Sequence, residues 1–229
     1  MSTSVINPSR EQFWQWQNYR VRYQSVGESG SAVILIHGFG ASSDHWRKNL
    51  AELGRSHRVF ALDLVGFGFS DKPSPETFSY TFENWADQIL AFIDTVVGAP
   101  AHLVGNSIGC IAVLQAAVQS PDQCLSVTML DCSLRLLHER KRQDLPWFQQ
   151  VGAPIFQKFL SLRPVGHFFF SQVAKPKAVA KFLKEAYGDS AAVTDELVDI
   201  ILKPAFEDGA ADVFLTFIQY SYGPLAEDL

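Results

Sequence analysis

The first 132 residues alternate between two hydrophobic patterns. Short apolar runs bounded by turn residues predict six strands, at residues 14–16, 19–25, 32–37, 57–62, 101–105 and 125–130. Apolar residues spaced three or four apart predict three helices, at residues 43–54, 82–97 and 107–119. Ser43 is predicted to cap the first helix, and Gly54 to end it with a positive φ. This alternation predicts an α/β fold, with a mostly parallel sheet flanked by helices.

The pattern changes after residue 132. Residues 133–222 show helical spacing, many aromatic residues and scattered prolines but no convincing strand, which predicts an inserted all-helical block. Residues 1–132 are predicted to form the core, and residues 223–229 to be the point at which the chain returns to it. Aromatic residues cluster at 147–148, 168–170 and 214–222. They are more numerous than the packing of a thin layer of helices requires, so some of them should line a cavity. Packing between helices is the alternative role for each of them.

Composition narrows the class of protein. The 229 residues are 47% hydrophobic and 19% charged, as in one folded domain with an insertion. A net charge of −5 without a long basic run argues against a nucleic-acid partner. The apolar runs are shorter than the roughly 20 residues that stable membrane insertion needs, and the polar start lacks a secretory pattern, which predicts a cytoplasmic protein. Three cysteines without metal-binding spacing predict reduced thiols and no metal site.

The strongest motif is Gly105-Asn106-Ser107-Ile108-Gly109, where an apolar strand runs directly into a helix. Such a sharp turn holds its central serine in a strained conformation, and the flanking glycines let neighbouring chains approach. The start of the helix favours negative charge at the serine. We therefore predict Ser107 as a nucleophile; the alternative is a serine that only caps a helix.

A second motif, His37-Gly38-Phe39-Gly40, follows the strand at residues 32–37. Acyl transfer develops an oxyanion, which needs two fixed N–H donors at about 2.7–3.1 Å. The backbone N–H groups of Phe39 and Ile108 are the predicted pair. His37 is predicted to brace the loop through hydrogen bonds rather than to transfer a proton.

A third motif, at residues 63–71, has glycines at 66 and 68 that mark a tight turn. Asp63 and Ser70 are predicted to hydrogen-bond backbone groups inside it. Neither glycine pattern for phosphate binding is complete, so no nucleotide cofactor is predicted. The motif is interpreted as structural.

The order of these three motifs resembles the α/β-hydrolase superfamily, over about residues 19–132. The resemblance implies an α/β-hydrolase fold with a helical cap inserted after strand six, at residues 133–222. Asn106 and the stretch at 204–210 resemble plant-chloroplast and cyanobacterial pheophytinase-like esterases. Carbon–carbon bond hydrolases share the Gly-Asn-Ser turn. Dehalogenases and epoxide hydrolases of this superfamily carry Asp at the nucleophile, so Ser107 argues against both.

The resemblance also implies an acid after strand seven and a histidine after strand eight. The chain reaches Leu229 where the cap should end, so the C-terminal strands and helices, with this acid and base, are expected beyond it. His167 and Asp131 are the weaker alternatives, for which helix packing and turn capping are favoured. His138 lies in a charged stretch and is expected to be solvated.

These observations favour a cofactor-independent serine hydrolase that forms an acyl-enzyme on Ser107. Its expected partner is a small-molecule, largely apolar ester, because the insertion is rich in aromatic residues. Two alternatives stay open. One is a non-catalytic α/β-hydrolase-like fragment or binding module, and the other is a carbon–carbon bond hydrolase.

We expect the 229-residue chain to hydrolyse p-nitrophenyl esters only feebly, because a serine hydroxyl is a poor nucleophile without a base. The measurement is the steady-state release of p-nitrophenolate. A robust rate that disappears in both Ser107→Ala and His167→Ala would contradict this expectation and make His167 the base.

Overall fold

A computed structural model describes residues 10–136, 138–142 and 146–229. The side chains at 142, 147–151 and 153 lie outside the described part, and with them the predicted aromatic pair at 147–148. The description therefore covers every residue of the three motifs and most of the helical segment that follows them.

Six strands form one mixed sheet, and all six predicted strands are confirmed, five with small shifts at their ends and the first, predicted at 14–16, with an earlier start at Arg10. The strands are β1 (Arg10–Trp16), β2 (Tyr19–Val26), β3 (Ala32–Ile36), β4 (Arg58–Leu62), β5 (Ala101–Asn106) and β6 (Cys124–Leu130). Their order is β1-β2-β4-β3-β5-β6. The pairs β1–β2 and β2–β4 are antiparallel, and β3 to β6 pair in parallel. β3 is apolar throughout because it is paired on both sides and every residue in it is buried.

Helices α1 (Arg47–Leu53), α2 (Phe82–Phe92) and α3 (Ile108–Gln119) pack on this sheet. The helices that follow β6 are α4 (Glu139–Arg142), α5 (Trp147–Leu160), α6 (Arg163–Val173), α7 (Pro176–Ala186), α8 (Asp195–Leu202) and α9 (Ala210–Gln219). A 3₁₀ turn at Ser43–Trp46 precedes α1, and a π-helical turn at Ile93–Val97 continues α2. After β6, the described residues form helices and turns without a strand, as predicted for the insertion.

The predicted N-cap of the first helix is wrong, whereas Gly54 does end the helix but without the predicted positive φ. The side chain of Ser42, rather than that of Ser43, accepts the hydrogen bond from the Asp44 N–H. Ser43 lies inside the turn, where its own N–H donates to Asp63 at 2.5 Å. Gly54 has a φ of −65°, so a positive φ does not explain it. A Cβ there would lie 2.9 Å from a methyl group of Val26, so close packing excludes a side chain.

The main core lies between the sheet and the helices α2 and α3. It is centred on large, fully buried side chains from these helices and from β3 and β5, namely Phe82, Trp85, Phe92, Ile111, Ile34 and Leu103. α9 also contributes to this core, through Val213 and the partly buried Phe217. A smaller cluster around Trp46 and Leu50 covers the opposite face. No helix of the described part is long and apolar enough to span a bilayer.

Arg22 on β2 is a buried cation that joins three segments of the chain. Its guanidinium donates to both carboxylate oxygens of Asp44, at 2.9 and 3.0 Å, and to Glu11 at 2.6 Å. It also lies 3.4 Å from a carboxylate oxygen of Asp63, which is fully buried at the end of β4. Burial alone would lower the pKa of Arg22, but the hydrogen bond to Asp44 and the charge of Asp63 raise it above its ordinary value. Arg22 therefore stays charged.

We expect Arg22→Met to lower the free energy of unfolding by about 3–5 kcal/mol, because the substitution leaves the buried Asp63 carboxylate without its cation. Urea denaturation measures this change. The matched control is Arg55→Met, since Arg55 forms an exposed ion pair with Glu52. It should cost less than about 1 kcal/mol. Equal losses in the two variants would contradict the assignment of Arg22 as a structural centre.

Candidate active site

Ser107 lies in the turn between β5 and α3 with φ 54° and ψ −117°. A residue other than glycine rarely adopts such angles, and the surrounding structure must hold it there. The Ser107 N–H donates to the carbonyl oxygen of Leu130 at 3.0 Å, and the Ser133 N–H donates to the carbonyl oxygen of Ser107 at 3.3 Å. Both bonds tie the turn to the end of β6. The serine is therefore placed at the head of α3, as the sequence predicted.

Glycines surround Ser107 because backbone segments approach it closely. A Cβ at Gly105 would lie 2.5 Å from the Cys110 nitrogen, and one at Gly109 would lie 2.6 Å from the His37 carbonyl oxygen. At Gly38 it would lie 3.1 Å from the Cβ of Ser107. The loop after β3 thus contacts the turn at Ser107 directly.

Cys110 lies beneath the turn, one helical turn into α3. Its thiol donates to the carbonyl oxygen of Gly105 at 3.2 Å. Burial and the neighbouring Cys132 raise the pKa of the Cys110 thiol to about 12. The thiol therefore stays protonated at neutral pH and supports the turn as a buried donor.

His37 braces the loop after β3, which confirms its predicted role. Its Nε2 accepts a hydrogen bond from the Leu64 N–H at 3.1 Å, so its Nδ1 carries the proton and donates to the Gly38 carbonyl oxygen at 2.8 Å. Burial lowers the pKa of His37, although the charge of Asp63 opposes this shift. The ring is thus neutral, and both of its nitrogens are already used.

The side chain of Phe39 is held by aromatic residues of α9. Its ring stacks on Phe217 with centroids 4.9 Å apart and contacts Phe214 at 5.2 Å. Phe67 packs edge-on against it from the core side at 5.8 Å. The loop that carries one predicted oxyanion donor is therefore fixed by a helix almost 180 residues later in the chain. The orientation of the Phe39 and Ile108 N–H groups toward an oxyanion stays a prediction.

The turn at residues 63–71 is structural, as predicted. The Asp63 carboxylate accepts from the Phe69 N–H at 2.9 Å, and the Ser70 hydroxyl donates to the Asp63 carbonyl oxygen at 2.8 Å. Gly68 has a φ of 55°, and a Cβ there would lie 2.1 Å from the Asp63 carboxylate. The carboxylate thus occupies the space that any other residue at position 68 would need.

A small apolar cavity of about 50 Å³ lies beside the loop after β3. Gly40 and Phe67 form its wall on the core side, and Phe170 and Phe214 form its wall on the helical side. Two of the predicted aromatic clusters, at 168–170 and 214–222, therefore do contribute side chains to a cavity.

Of the weaker candidates for base and acid, His167 is engaged elsewhere: its Nε2 lies 2.7 Å from the Asp212 carboxylate, which joins α6 to α9. Asp131 is exposed with a φ of 49° just after β6, and its turn-capping role stays a prediction. Across the described ranges, the Ser107 hydroxyl forms no hydrogen bond with a histidine.

The expectation that His138 is solvated is wrong, since it is only 3% exposed. Its Nδ1 accepts from the Arg140 N–H at 3.1 Å, so its Nε2 donates to the Gly223 carbonyl oxygen at 3.0 Å. The segment after α9 folds back over His138 and removes it from solvent. This contact joins residues 85 positions apart, so the local charge pattern could not indicate it.

Sequence reasoning missed Arg135, which joins the two ends of the helical segment. Its guanidinium donates to the carbonyl oxygens of Tyr220, Tyr222 and Pro224 at 2.7–3.1 Å. It also lies 4.9 Å from the ring of Phe82 in the main core. Arg135 therefore holds the entry and the exit of this segment side by side, next to the end of β6.

Comparison with known proteins agrees with this geometry. The family model described as the alpha/beta hydrolase fold matches residues 31–161, and the chain belongs to this family. Chloroplastic pheophytinase from Arabidopsis thaliana is 25% identical over 246 residues, which cover 93% of this chain and 51% of that protein. The 2-hydroxy-6-oxo-2,4-heptadienoate hydrolase of Pseudomonas putida is 27% identical over 193 residues, covering 81% of this chain and 61% of that protein.

Among solved structures, Cfl2 from Burkholderia cenocepacia superposes with a TM-score of 0.75 at 20% identity. The match covers 93% of this chain and 71% of that chain, and at this identity it supports the fold alone. The chain spans 51% and 61% of the two curated relatives described above.

We expect Gly109→Ala to lower the free energy of unfolding by about 1–3 kcal/mol, because the new methyl group would collide with the backbone of the loop after β3. Urea denaturation again measures the change. The matched control is Gly152→Ala in α5, where a Cβ would meet no atom within 4 Å. Alanine is the better helix former, so the control should be neutral or stabilising by up to about 1 kcal/mol. Similar stabilities for both variants would refute the close contact.

Proposed function

We propose that this chain carries the nucleophile of a serine hydrolase that acts on an ester bond of a largely apolar substrate. The observation that carries the proposal is the strained turn at Ser107, held at φ 54° at the start of α3. Strain at a single polar residue persists only where the structure around it is rigid, and such residues are concentrated at functional sites. A serine that served only as a helix cap would not need this conformation.

The proposed reaction begins when the Ser107 oxygen attacks the ester carbonyl carbon. The carbonyl oxygen becomes an oxyanion, which the N–H groups of Phe39 and Ile108 stabilise at the start of α3. Collapse of this intermediate expels the alcohol, which takes up the proton lost by the serine, and leaves an acyl group on Ser107 that water then hydrolyses to the acid. The serine proton must pass to a base. No described histidine is hydrogen-bonded to Ser107, so the base is not assigned to a residue of this chain.

An apolar substrate fits the surroundings of the loop after β3. Phe67, Phe170 and Phe214 form aromatic walls of the adjacent cavity, which Lys72 also lines. We propose that the helices after β6 act as a cap, of which α9 supplies the inner wall. The proposal requires no cofactor, because nucleophile, oxyanion donors and apolar wall are all protein groups.

A carbon–carbon bond hydrolase is the second candidate. It is favoured by the Pseudomonas putida relative named 2-hydroxy-6-oxo-2,4-heptadienoate hydrolase, whose match covers 81% of this chain. Both candidates share the serine and the oxyanion donors. They differ in the group that leaves, an alcohol oxygen in one case and a carbon in the other.

We expect a fluorophosphonate to modify Ser107 only slowly, because no described histidine is bonded to its hydroxyl, and p-nitrophenyl esters to leave an acyl adduct on the same residue during long incubation. Intact-protein and peptide mass spectrometry locate both adducts. Ser107→Ala should abolish them, whereas Ser120→Ala, at the far end of α3, should retain them. Adducts with longer acyl chains should form faster, because the adjoining wall is apolar.

Two outcomes would count against the proposal. An absence of any adduct in the wild-type chain would favour the non-catalytic binding module. Adducts that persist in Ser107→Ala would show that another residue is the nucleophile.

A further inference from the structure

Residues 147–184 have an unusual charge pattern within an acidic protein. This stretch spans α5, α6 and most of α7, and it holds six of the 19 basic side chains and none of the 24 acidic ones. All six basic residues are exposed: Lys158, Arg163, Lys175, Lys177, Lys181 and Lys184. The whole chain has a net charge of −5. This stretch therefore carries positive charge without any negative charge between its basic residues.

The same segment exposes a group of large apolar side chains, which we call the α5–α6 patch. Its members are Ile155, Phe156, Phe159, Leu162, Val165 and Phe168, each more than 40% exposed. Phe156 on α5 contacts Phe169 on α6 with ring centroids 5.5 Å apart, so the strips on the two helices are joined. Spacings of three and four residues within each helix place these residues along one side of it. Isolated exposed apolar residues need no explanation, but a joined group of this size marks an interaction surface.

We propose that the α5–α6 patch and its surrounding lysines form a docking surface for an anionic lipid bilayer. Aromatic and aliphatic side chains that enter the boundary between headgroups and acyl chains, flanked by lysines that contact anionic headgroups, are the features of a helix lying in the plane of a membrane. Protein–protein interfaces, in contrast, are depleted in lysine. Lys158 lies within the patch sequence itself, and Lys175 follows directly after α6. No helix needs to cross the bilayer for this mode of binding.

The charge of Arg163 is partly used inside the protein, since it forms an ion pair with Asp212 at 3.1 Å. Lys158, Lys177, Lys181 and Lys184 form no ion pair with any acidic residue of the described ranges. These lysines are free to meet lipid headgroups. The acidic remainder of the chain would be repelled by the same headgroups, so the surface should dock in one orientation only.

Vesicle co-sedimentation with the full 229-residue chain tests this proposal. We expect binding to vesicles made of phosphatidylcholine and phosphatidylglycerol in equal parts, and much weaker binding to phosphatidylcholine alone. High salt should weaken the binding, because screening reduces the attraction between lysines and headgroups. Ser107→Ala should bind like the wild type, so failure of the proposed hydrolase activity would leave this result unaffected.

The apolar contribution is tested with Phe159→Ser/Phe168→Ser, which should reduce the partition coefficient roughly tenfold or more. Both side chains are exposed, at 58% and 68%, so thermal unfolding should be unchanged. The matched control is Phe206→Ser, since Phe206 is 71% exposed but adjoins Glu207 and Asp208. This control should bind normally.

The electrostatic contribution is tested with Lys158→Ser/Lys175→Ser, which should lose roughly fivefold for each lysine. The matched control is Lys48→Ser/Lys203→Ser, which removes the same charge from exposed positions outside the segment. Equal losses in the variants and their controls would overturn the proposal, as would equal binding to both vesicle types. Self-association that disappears in Phe159→Ser/Phe168→Ser, without vesicle binding, would also overturn it and make the patch a protein interface.

Discussion

The strained turn at Ser107 is the constraint on which the rest of this structure depends. It persists because the end of β6 accepts and donates hydrogen bonds on both sides of the serine, at 3.0 and 3.3 Å. It also requires glycine at 105 and 109, where neighbouring backbone leaves no room for a Cβ, and at Gly38 a Cβ would lie 3.1 Å from that of Ser107. Three separate segments of the chain must therefore meet at one point, and the parallel order of β3, β5 and β6 brings them there.

Buried polar groups hold the loops around this point. His37 links the loop after β3 to the turn after β4 through both ring nitrogens. Asp63 accepts hydrogen bonds from two loops and is balanced by the buried Arg22. A buried charge without such partners would be strongly destabilising, so these groups also specify how the loops are arranged. These buried bonds therefore fix the arrangement of the loops beside Ser107.

The helical segment has two aromatic surfaces with different surroundings. Its inner surface, on α9, packs against Phe39 and extends into the main core through Phe217. Its outer surface, on α5 and α6, is exposed and flanked by lysines. Arg135 and His138 tie the two ends of the segment together beside the end of β6.

Much of the core was determined by the sequence alone. The strands, the turn at Ser107 and the bracing role of His37 follow from local patterns, because alternation, apolar spacing and glycine positions report backbone geometry within a few residues. Gly54 shows the limit of such patterns, because close packing against Val26, and not a positive φ, explains why glycine occupies this position.

Only the tertiary structure decided the burial of His138, the carbonyl contacts of Arg135 and the stacking of Phe217 on Phe39. Each depends on a partner 85 or more positions away in the chain. Local periodicity carries no information about such pairs, because it records which side of an element is apolar and not what that side will meet.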